Sequence, residues 1–339
     1  MEQVKGLREY VRLENYRSAL GLPKDVEETY ELLAQGEYNR NYVFTHPITR
    51  EKLVFRVNFG SQMHLDNQIE YEYQALKLLE GSGRTPKVLY VDGSCSHLDY
   101  GVLVMEYLPG HPMDYETELF YGADCLADIH SVVLPEKGQA SPYGLFAPAN
   151  PLEAILNECE EMVRVYMDSP LAEDCKKSKI RRMLDVGWKR VNSLPQSPYQ
   201  CCINTELNST NFLINGEKGG NYLIDWEKPI YGDPAQDLGH FLAPTTTFWK
   251  TDVILTKNQV NAFIDAYLEA VAGRFDTTGI KERTEVYIPI TCLRGITWCA
   301  MAWVQYQEPG AKLVNASTWR KLEAYLEEEF LERIEMEYL

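Results

Sequence analysis

The sequence lacks the features that would assign it to several protein classes at once. None of its eight cysteines forms a Cys-x-x-Cys pair, and most lie in apolar or helical stretches. A disulfide framework or a zinc site is therefore not expected. No apolar run approaches the roughly 20 residues that span a bilayer, and the first residues show no basic-then-apolar signal pattern. Without repeats or low-complexity segments, the chain is predicted to be a cytoplasmic globular protein.

Positive charge is also scarce. The 339 residues include 33 Lys and Arg against 50 Asp and Glu, for a formal net charge of −17. Such a surface repels nucleic acid and anionic membranes, so neither is expected as a partner. An acidic protein suits a cationic substrate, although many soluble proteins are acidic for solubility alone. With 45% hydrophobic residues, the chain can form a full core in two domains or one two-lobed unit.

Hydrophobic periodicity in the first hundred or so residues predicts a small antiparallel sheet with one long helix. Residues 1 to about 32 are expected to be helical and charged. A strand, a turn containing Gly36 and Asn39, and a second strand are predicted over 33–44. Further strands are predicted at 52–58, 88–91 and 101–105, and a helix at 67–80, closed by the glycines of 81–83.

Helices dominate the rest of the chain, after a break at Leu108-Pro109-Gly110 that resembles a hinge. They are predicted at 121–132, 153–167, 177–191, 260–272, 287–306 and 318–338, interrupted by short strands within 199–214 and 221–225. The pattern indicates an α+β, bilobal plan. We expect a β-rich, nucleotide-binding lobe at 1–107, a hinge at 106–110, and a helical lobe at 111–339 with the catalytic loop, the metal loop and the substrate pocket. A cleft between lobes is the default ligand site.

The informative stretch runs from Ile203 to Leu242. Two apolar strands, ending in Ile214 and Ile224, can pair as a hairpin across a Gly-rich turn. That hairpin would place Asn211 and Asp225 at neighbouring strand ends, where an amide oxygen and a carboxylate suit magnesium. Glu206, in the preceding polar loop, can accept a proton from a substrate hydroxyl. Protein kinases use the same order: a catalytic Asp, an Asn five residues later, and a metal-binding Asp.

These segments resemble the aminoglycoside-phosphotransferase and choline-kinase superfamily, which has the protein-kinase-like fold. The family loop reads His-Gly-Asp-Leu-x-x-x-Asn; in 204–211, Asn, Thr and Glu replace the first three residues and the final Asn is retained. The family's Ile-Asp-Trp and Gly-Asp-Pro-x-x-Asp-Leu segments are matched at 224–226 and 232–238. The similarity extends from about residue 33 to 242, with a looser helical match to the end.

The resemblance implies roles for residues of the first lobe. Arg56 stands where the family has the cation that contacts the nucleotide phosphates, and Glu72 is its expected partner, with Glu70 as the alternative. Gly36 would belong to the turn that covers the phosphates, although no GxGxxG pattern is present. The adenine base would bond the backbone of the hinge residues Glu106, Tyr107 and Leu108.

In the second lobe, candidate residues for the acceptor pocket are indicated by less specific patterns. Trp298 and Tyr306, on one face of a late helix, could receive an ammonium group by cation–π attraction, with Glu227 as a further pocket residue. The alternative is a buried helix that packs on its neighbours. Asp237 is expected to brace the catalytic loop or to cap a helix starting at Leu238.

The predicted function is ATP-dependent (or GTP-dependent) transfer of a phosphoryl group, with Mg²⁺, to a hydroxyl of a small polar or cationic acceptor. Glu206, Asn211 and Asp225 would form the catalytic set. A nucleotide-binding pseudokinase is the alternative, because Glu206 is one methylene longer than the usual Asp and a shift of about 1 Å can cost of order a hundredfold in rate. A protein kinase is disfavoured, since no Ala-Pro-Glu segment follows Asp225.

Overall fold

The structure, a computed structural model, describes residues 4–36, 38–134, 144–307 and 316–339. The chain forms two compact units. The sheet unit comprises Met1–Asp114, Glu118–Phe146 and Thr210–Tyr231. The helical unit comprises Tyr115–Thr117, Ala147–Ser209 and Gly232–Leu339. Both units are discontinuous in sequence, whereas the predicted lobes were the contiguous pieces 1–107 and 111–339. The roles predicted for those lobes, nucleotide binding for the first and catalysis and substrate binding for the second, stay predictions.

Within the described residues, the main sheet of the sheet unit has five antiparallel strands in the order β1-β2-β3-β5-β4. Their bounds are β1 Glu31–Gln35, β2 Asn39–Thr45, β3 Lys52–Asn58, β4 Val88–Asp92 and β5 Gly101–Glu106. The predicted strands are confirmed to within two residues. The central strand, β3, alternates between two buried faces, which is the pattern expected of a strand covered on both sides.

The two faces of β3 have different partners. Phe55 and its neighbours at alternate positions pack with Tyr10 and Tyr16 in one apolar cluster. Those tyrosines lie on or beside two short helices, α1 (Leu7–Tyr10) and α2 (Glu14–Leu20). Arg56 therefore faces the other side of the sheet, where α3 (Gln68–Leu79) packs across β4 and β5. Asn67 caps α3 by accepting a hydrogen bond from the Glu70 N–H at 3.2 Å.

The prediction that residues 1 to about 32 are helical is wrong for much of that range. Of the described residues 4–32, only those of α1 and α2 are helical, because Gly21 adopts a left-handed conformation (φ 67°) that ends α2 and Pro23 follows it. Residues 31 and 32 belong to β1. The sheet unit is completed by α4 (Leu119–His130) and by a small antiparallel sheet of β6 (His111–Pro112), β8 (Phe212–Ile214) and β9 (Tyr222–Leu223).

The helical unit is organised around α10 (Ile280–Gln305), against which α5 (Pro151–Asp168) and α7 (Pro234–Leu242) pack. Its other elements are α6 Asp174–Lys189, β7 Cys201–Ile203, α8 Pro244–Lys250, α9 Lys257–Val271, α11 Ala316–Tyr325 and α12 Glu328–Glu337. The short strand β10 (Ile230–Gly232) contains the point in the sequence where the sheet unit ends and the helical unit resumes. The single helix predicted over 318–338 is two helices, because Glu327 takes an extended conformation (ψ 141°) as the N-cap of α12. No described helix is long and apolar enough to cross a membrane.

Candidate active site

Arg56 is the centre of a charged cluster in the sheet unit. It lies on β3, and its Nη1 donates to the Oε1 of Glu72 on α3. Its Nε donates to Asn41 Oδ1 on β2 at 2.9 Å. The same guanidinium lies 3.7 Å from Asp225 Oδ1 and 3.9 Å from Glu227 Oε1. The structure therefore brings together four of the residues predicted from the sequence, with Glu72 rather than Glu70 as the partner of Arg56.

Three carboxylates surround this one guanidinium, and the imbalance has electrostatic consequences. Burial disfavours the charged form of Arg56, but the charges of Glu72, Asp225 and Glu227 outweigh it and raise the arginine pKa. Burial, followed by the charge of Asp225, raises the pKa of Glu227 to about 8. The Asp225 side chain is 43% exposed, whereas those of Glu227 and Glu72 are 23% and 1% exposed. Asp225 is thus the most accessible negative group of the three.

The β8–β9 hairpin presents Asp225 beside Asn211. Phe212 pairs with Leu223, and the Asn211 carbonyl accepts a hydrogen bond from the Ile224 N–H at 2.8 Å. The two residues therefore sit at neighbouring ends of paired strands, as the hairpin prediction required. Asp225 itself has φ 67°, in the left-handed region that Asp tolerates better than most residues.

The donors in this region suit a hard divalent cation. Asp225 has carboxylate oxygens and Asn211 an amide oxygen that could hold such a cation, and the two acids Glu72 and Asp225 outnumber the single cation Arg56. Among the described residues, no group of three or more His, Cys, Asp or Glu side chains could hold a metal ion alone. Magnesium is commonly bound in this way, by one or two carboxylates with phosphate oxygens and water completing the shell.

The predicted hinge follows β5. The N–H groups of Glu106 and Tyr107 donate to the carbonyls of Lys87 and Lys52 at 2.8 and 3.2 Å. Leu108, the next residue of the predicted hinge, is buried, and its contact with adenine stays a prediction. Gly110 has φ 139°, and a Cβ there would lie 2.8 Å from the Leu213 backbone, so only glycine fits this turn.

Gly36 forms the turn between β1 and β2. Its N–H donates to the Asn39 carbonyl at 2.8 Å. Asn39 in turn donates its side-chain amide to Glu227 and accepts from the Asn58 amide at 2.9 Å. The turn that was predicted to cover phosphates is therefore connected by a buried polar network to the segment that carries Asp225.

Glu206 lies in the helical unit, on a loop that is braced by Asp237. The two carboxylate oxygens of Asp237 accept the N–H groups of Asn204 and Thr205 at 2.8 and 2.7 Å. Asn204 Oδ1 accepts the Glu206 N–H at 3.0 Å. Asp237 therefore braces the loop, which was one of the two roles predicted for it. It does not cap the helix, because α7 begins at Pro234 and its N-cap is Asp233.

Two functional candidates were missed from the sequence. Arg294 on α10 donates to Glu206 Oε1 at 2.7 Å and to both oxygens of Glu158 on α5 at 3.0 Å. A signal for Arg294 was present, because it is the one charged residue between positions 286 and 304. A charge in such an apolar stretch needs a partner. No local pattern could identify that partner, since Glu158 and Glu206 are far away in sequence.

Trp298 and Tyr306 belong to an aromatic cluster of the helical unit. Trp298 packs edge-on against Trp249, with ring centroids 5.1 Å apart. Tyr306 lies nearly parallel to Trp319 at 6.4 Å. Both pack against buried residues that include Leu322. Of the three residues predicted for an acceptor pocket, Glu227 lies in the sheet unit and contacts Asn39. An acceptor role for all three stays a prediction.

Comparison with known proteins gives an independent line of evidence. A sequence model of the phosphotransferase enzyme family matches residues 29–282, which is most of the chain. This span includes Arg56, Glu72, Glu206, Asn211 and Asp225. No curated protein sequence gives a significant match.

Solved structures of similar fold include small-molecule kinases. Choline kinase from Cryptosporidium parvum Iowa II is 14% identical with a TM-score of 0.66, and 98% of each chain is covered. Spectinomycin phosphotransferase in complex with ADP and spectinomycin is 12% identical with a TM-score of 0.64, again with 98% of each chain covered. Plasmodium vivax ethanolamine kinase is 15% identical with a TM-score of 0.61, covering 96% of this chain and 89% of that one. At these identities the similarity concerns the fold, and it confirms the predicted α+β, protein-kinase-like class.

Proposed function

Because the chain belongs to the phosphotransferase enzyme family, we propose that it is an ATP-dependent small-molecule kinase. It transfers the γ-phosphate to a hydroxyl of a small polar or cationic acceptor, such as an aminoglycoside, choline or another amino alcohol. The named activities of the similar structures support this acceptor class. A net charge of −17 suits a cationic acceptor.

One observation carries the proposal: a buried arginine on β3 pairs with Glu72 on α3 and lies 3.7 Å from Asp225. Phosphoryl transfer needs a cation on the phosphates and a metal clamp in fixed relation to each other. Arg56 supplies the cation. Asp225, with Asn211 at the adjoining strand end, supplies ligands for Mg²⁺, which neutralises charge on the phosphates when bound.

The remaining roles follow from the backbone and the braced loop. The Leu108 N–H donates to the adenine ring. Glu206 orients the acceptor hydroxyl and takes its proton as the oxygen attacks the γ-phosphorus. A bond forms between the acceptor oxygen and phosphorus, the bond to the β–γ bridging oxygen breaks, and ADP leaves with that electron pair.

Nucleotide and metal identity are part of the same proposal. The similar structures include complexes with ADP and, for amicoumacin kinase, with AMP-PNP and Ca²⁺. These complexes support ATP (or GTP) with Mg²⁺ as the cofactor pair here. All eight cysteines are free thiols, which supports a cytoplasmic setting.

A panel of hydroxyl-bearing acceptors, read by ADP release, tests the function. Wild type is compared with Asp225→Ala and with Asp252→Asn, a control acid whose side chain is 93% exposed and bonds Lys321. We expect at least one acceptor to stimulate ADP release in wild type and in the control. Asp225→Ala is expected to lose at least about 100-fold, because the metal clamp is removed. Full activity of Asp225→Ala would contradict the proposal.

A specific observation favours a second candidate, a nucleotide-binding pseudokinase. Glu206 replaces the usual Asp, and one oxygen of its carboxylate is already bonded to Arg294 at 2.7 Å rather than being left for an acceptor hydroxyl. Such a protein would bind ATP without turnover. ATP-induced melting shifts without any ADP release, across the acceptor panel and in water alone, would favour this candidate over the kinase.

A further inference from the structure

We propose that Arg294 is a positioning residue that holds the Glu206 carboxylate in its reactive orientation, with Glu158 as the anchor of that arginine. The proposal rests on the proposed function, in which Glu206 orients the acceptor hydroxyl. Neither Arg294 nor Glu158 belongs to the motifs that identify the family in this sequence. Both were found only from their contacts in the helical unit.

The guanidinium of Arg294 forms a fork, a pair of parallel hydrogen bonds to one carboxylate, and it shares one of its nitrogens with a second carboxylate. Nε and Nη2 of Arg294 each donate to one oxygen of Glu158 at 3.0 Å, and Nη2 also donates to Glu206 Oε1 at 2.7 Å. Two parallel bonds to Glu158 fix the plane of the guanidinium. A lysine could supply the charge but not this plane. The third bond therefore reaches Glu206 from a fixed direction.

The scaffold behind the fork is tightly packed. Arg294 lies on α10 and Glu158 on α5, and these two helices pack along each other. At Gly187 on α6, an added Cβ would lie 2.5 Å from Leu293 Cδ1 and 3.0 Å from Leu156 Cδ2. The helix backbones beside Arg294 and Glu158 thus have little room to shift.

The guanidinium of Arg294 stays protonated in this environment. Burial disfavours the guanidinium cation, but the charges of Glu158 and Glu206 outweigh it and raise the arginine pKa. Its side chain is 16% exposed, and that of Glu206 is 33% exposed. The carboxylate of Glu206 is thus accessible on one side and bonded to a permanent cation on the other.

A glutamate at position 206 needs its carboxylate to be positioned by a further contact, because its side chain is longer than that of aspartate. The Asp237 brace fixes the backbone at positions 204 and 205, and Asn204 fixes the N–H of residue 206. Those contacts would suffice for an aspartate, whose carboxylate is one bond closer to the backbone. Glu206 has one more rotatable bond than aspartate, so its carboxylate can take more positions on the same backbone. Arg294 selects one of them, and misplacement by about 1 Å can cost of order 100-fold in rate.

The test compares Arg294→Met, Arg294→Lys and Glu158→Gln with wild type. The control is Arg181→Met, which removes a second fork, between Arg181 on α6 and Glu160 on α5, that does not include Glu206. ADP release is followed with the acceptor that the panel identifies, and also with water as the acceptor, so that both kcat and the pH profile can be measured in either case.

Arg294→Met is expected to lower kcat by about 10- to 100-fold with the KM for ATP unchanged. The acid limb of its kcat/KM profile should move to higher pH, because a cation beside a carboxylate favours the ionised form. Arg294→Lys should restore the acid limb while recovering only part of kcat. Glu158→Gln should lower kcat severalfold and leave the acid limb in place.

Several results would overturn the proposal. If Arg294→Met keeps the wild-type kcat and pH profile, Arg294 does not position Glu206. If Arg181→Met loses as much kcat as Arg294→Met, the loss reflects a general disturbance of helix packing and not the contact with Glu206. If Arg294→Met does not fold, Glu158→Gln decides the matter, and wild-type kcat in that variant would contradict the anchor. Failure of the function itself is distinguishable, because wild type would then release no ADP with any acceptor or with water, whereas failure of this proposal leaves wild-type turnover in place in Arg294→Met.

Discussion

The guanidinium of Arg56 and the carboxylate of Glu72 form an ion pair that is almost entirely enclosed by the sheet unit, with 6% and 1% of the side chains exposed. The pair joins β3 to α3 and holds the arginine toward Asp225. A buried pair of this kind contributes little when complete, but the loss of one partner leaves an uncompensated buried charge.

Arg56→Met should therefore destabilise the protein strongly, since the buried Glu72 carboxylate and the neighbouring Asp225 lose their cation. We expect a loss of about 3–5 kcal/mol in the free energy of unfolding, together with loss of ATP-induced stabilisation. The double variant Arg56→Met/Glu72→Met should recover part of the stability and none of the ATP response. Urea unfolding with and without ATP measures both quantities, and unchanged stability of Arg56→Met would contradict the description of the cluster.

Glu227 makes stability depend on pH. Burial and the charge of Asp225 raise its pKa from 4.5 to about 8. The folded protein keeps a proton that the unfolded chain releases, so this contribution is complete below about pH 4.5 and is lost as the pH rises through 8. Between pH 5 and 9, wild type should lose about 1–3 kcal/mol more than Glu227→Gln.

Urea unfolding at several pH values tests this dependence. Glu217→Gln, which removes an exposed acid from the same segment of the chain, is the control and should follow wild type. Parallel pH curves for wild type and Glu227→Gln would show that the Glu227 carboxyl is not held in its protonated form.

Asp237 should be intolerant of even the smallest change. Its two oxygens accept the N–H groups of residues 204 and 205 at 2.8 and 2.7 Å, and the residue is fully buried. Asp237→Asn replaces one acceptor with a donor that faces an N–H group. A loss of about 1–3 kcal/mol in stability is expected, with a fall in kcat as the Glu206 loop loosens. Asp265→Asn, at an exposed position on α9, is the control for calorimetry and kinetics.

Thr205 carries backbone strain at the same loop. Its φ is 69°, a left-handed conformation that is costly for a β-branched residue, and the family motif has glycine here. Thr205→Gly relieves strain of about 1–3 kcal/mol, which offsets much of the ordinary cost of this substitution. Thr284→Gly, in the buried interior of α10, has no such compensation. Thermal unfolding should show the second variant to be clearly the less stable, and equal losses would argue against strain at Thr205.

Local chemistry explains how much of this structure could be predicted. The alternation of 52–58 and the helical period of 67–80 identified β3 and α3, and with them the faces that bring Arg56 and Glu72 together. The hairpin that joins Asn211 to Asp225 followed from two short apolar runs and a glycine-rich turn. Each of these features depends on residues close together in sequence.

The rest depended on tertiary packing. Nothing near Arg294 in sequence indicates that a glutamate 136 positions away shares its guanidinium. The break between α11 and α12 falls in a continuous run of helix-forming residues, where propensity alone predicts one helix. The N-cap Asp233 was overlooked in favour of Asp237, although the Asp-Pro sequence is a strong helix-start signal.

The most direct test is the Mg²⁺ dependence of ATP binding, measured by calorimetry in wild type and in Asp225→Asn. If the carboxylate at the end of β9 holds the metal on the triphosphate, wild type binds ATP more tightly with Mg²⁺ than with a chelator. Asp225→Asn should then bind it equally in both conditions. An undiminished Mg²⁺ enhancement in the variant would contradict the metal site on which the kinase assignment depends.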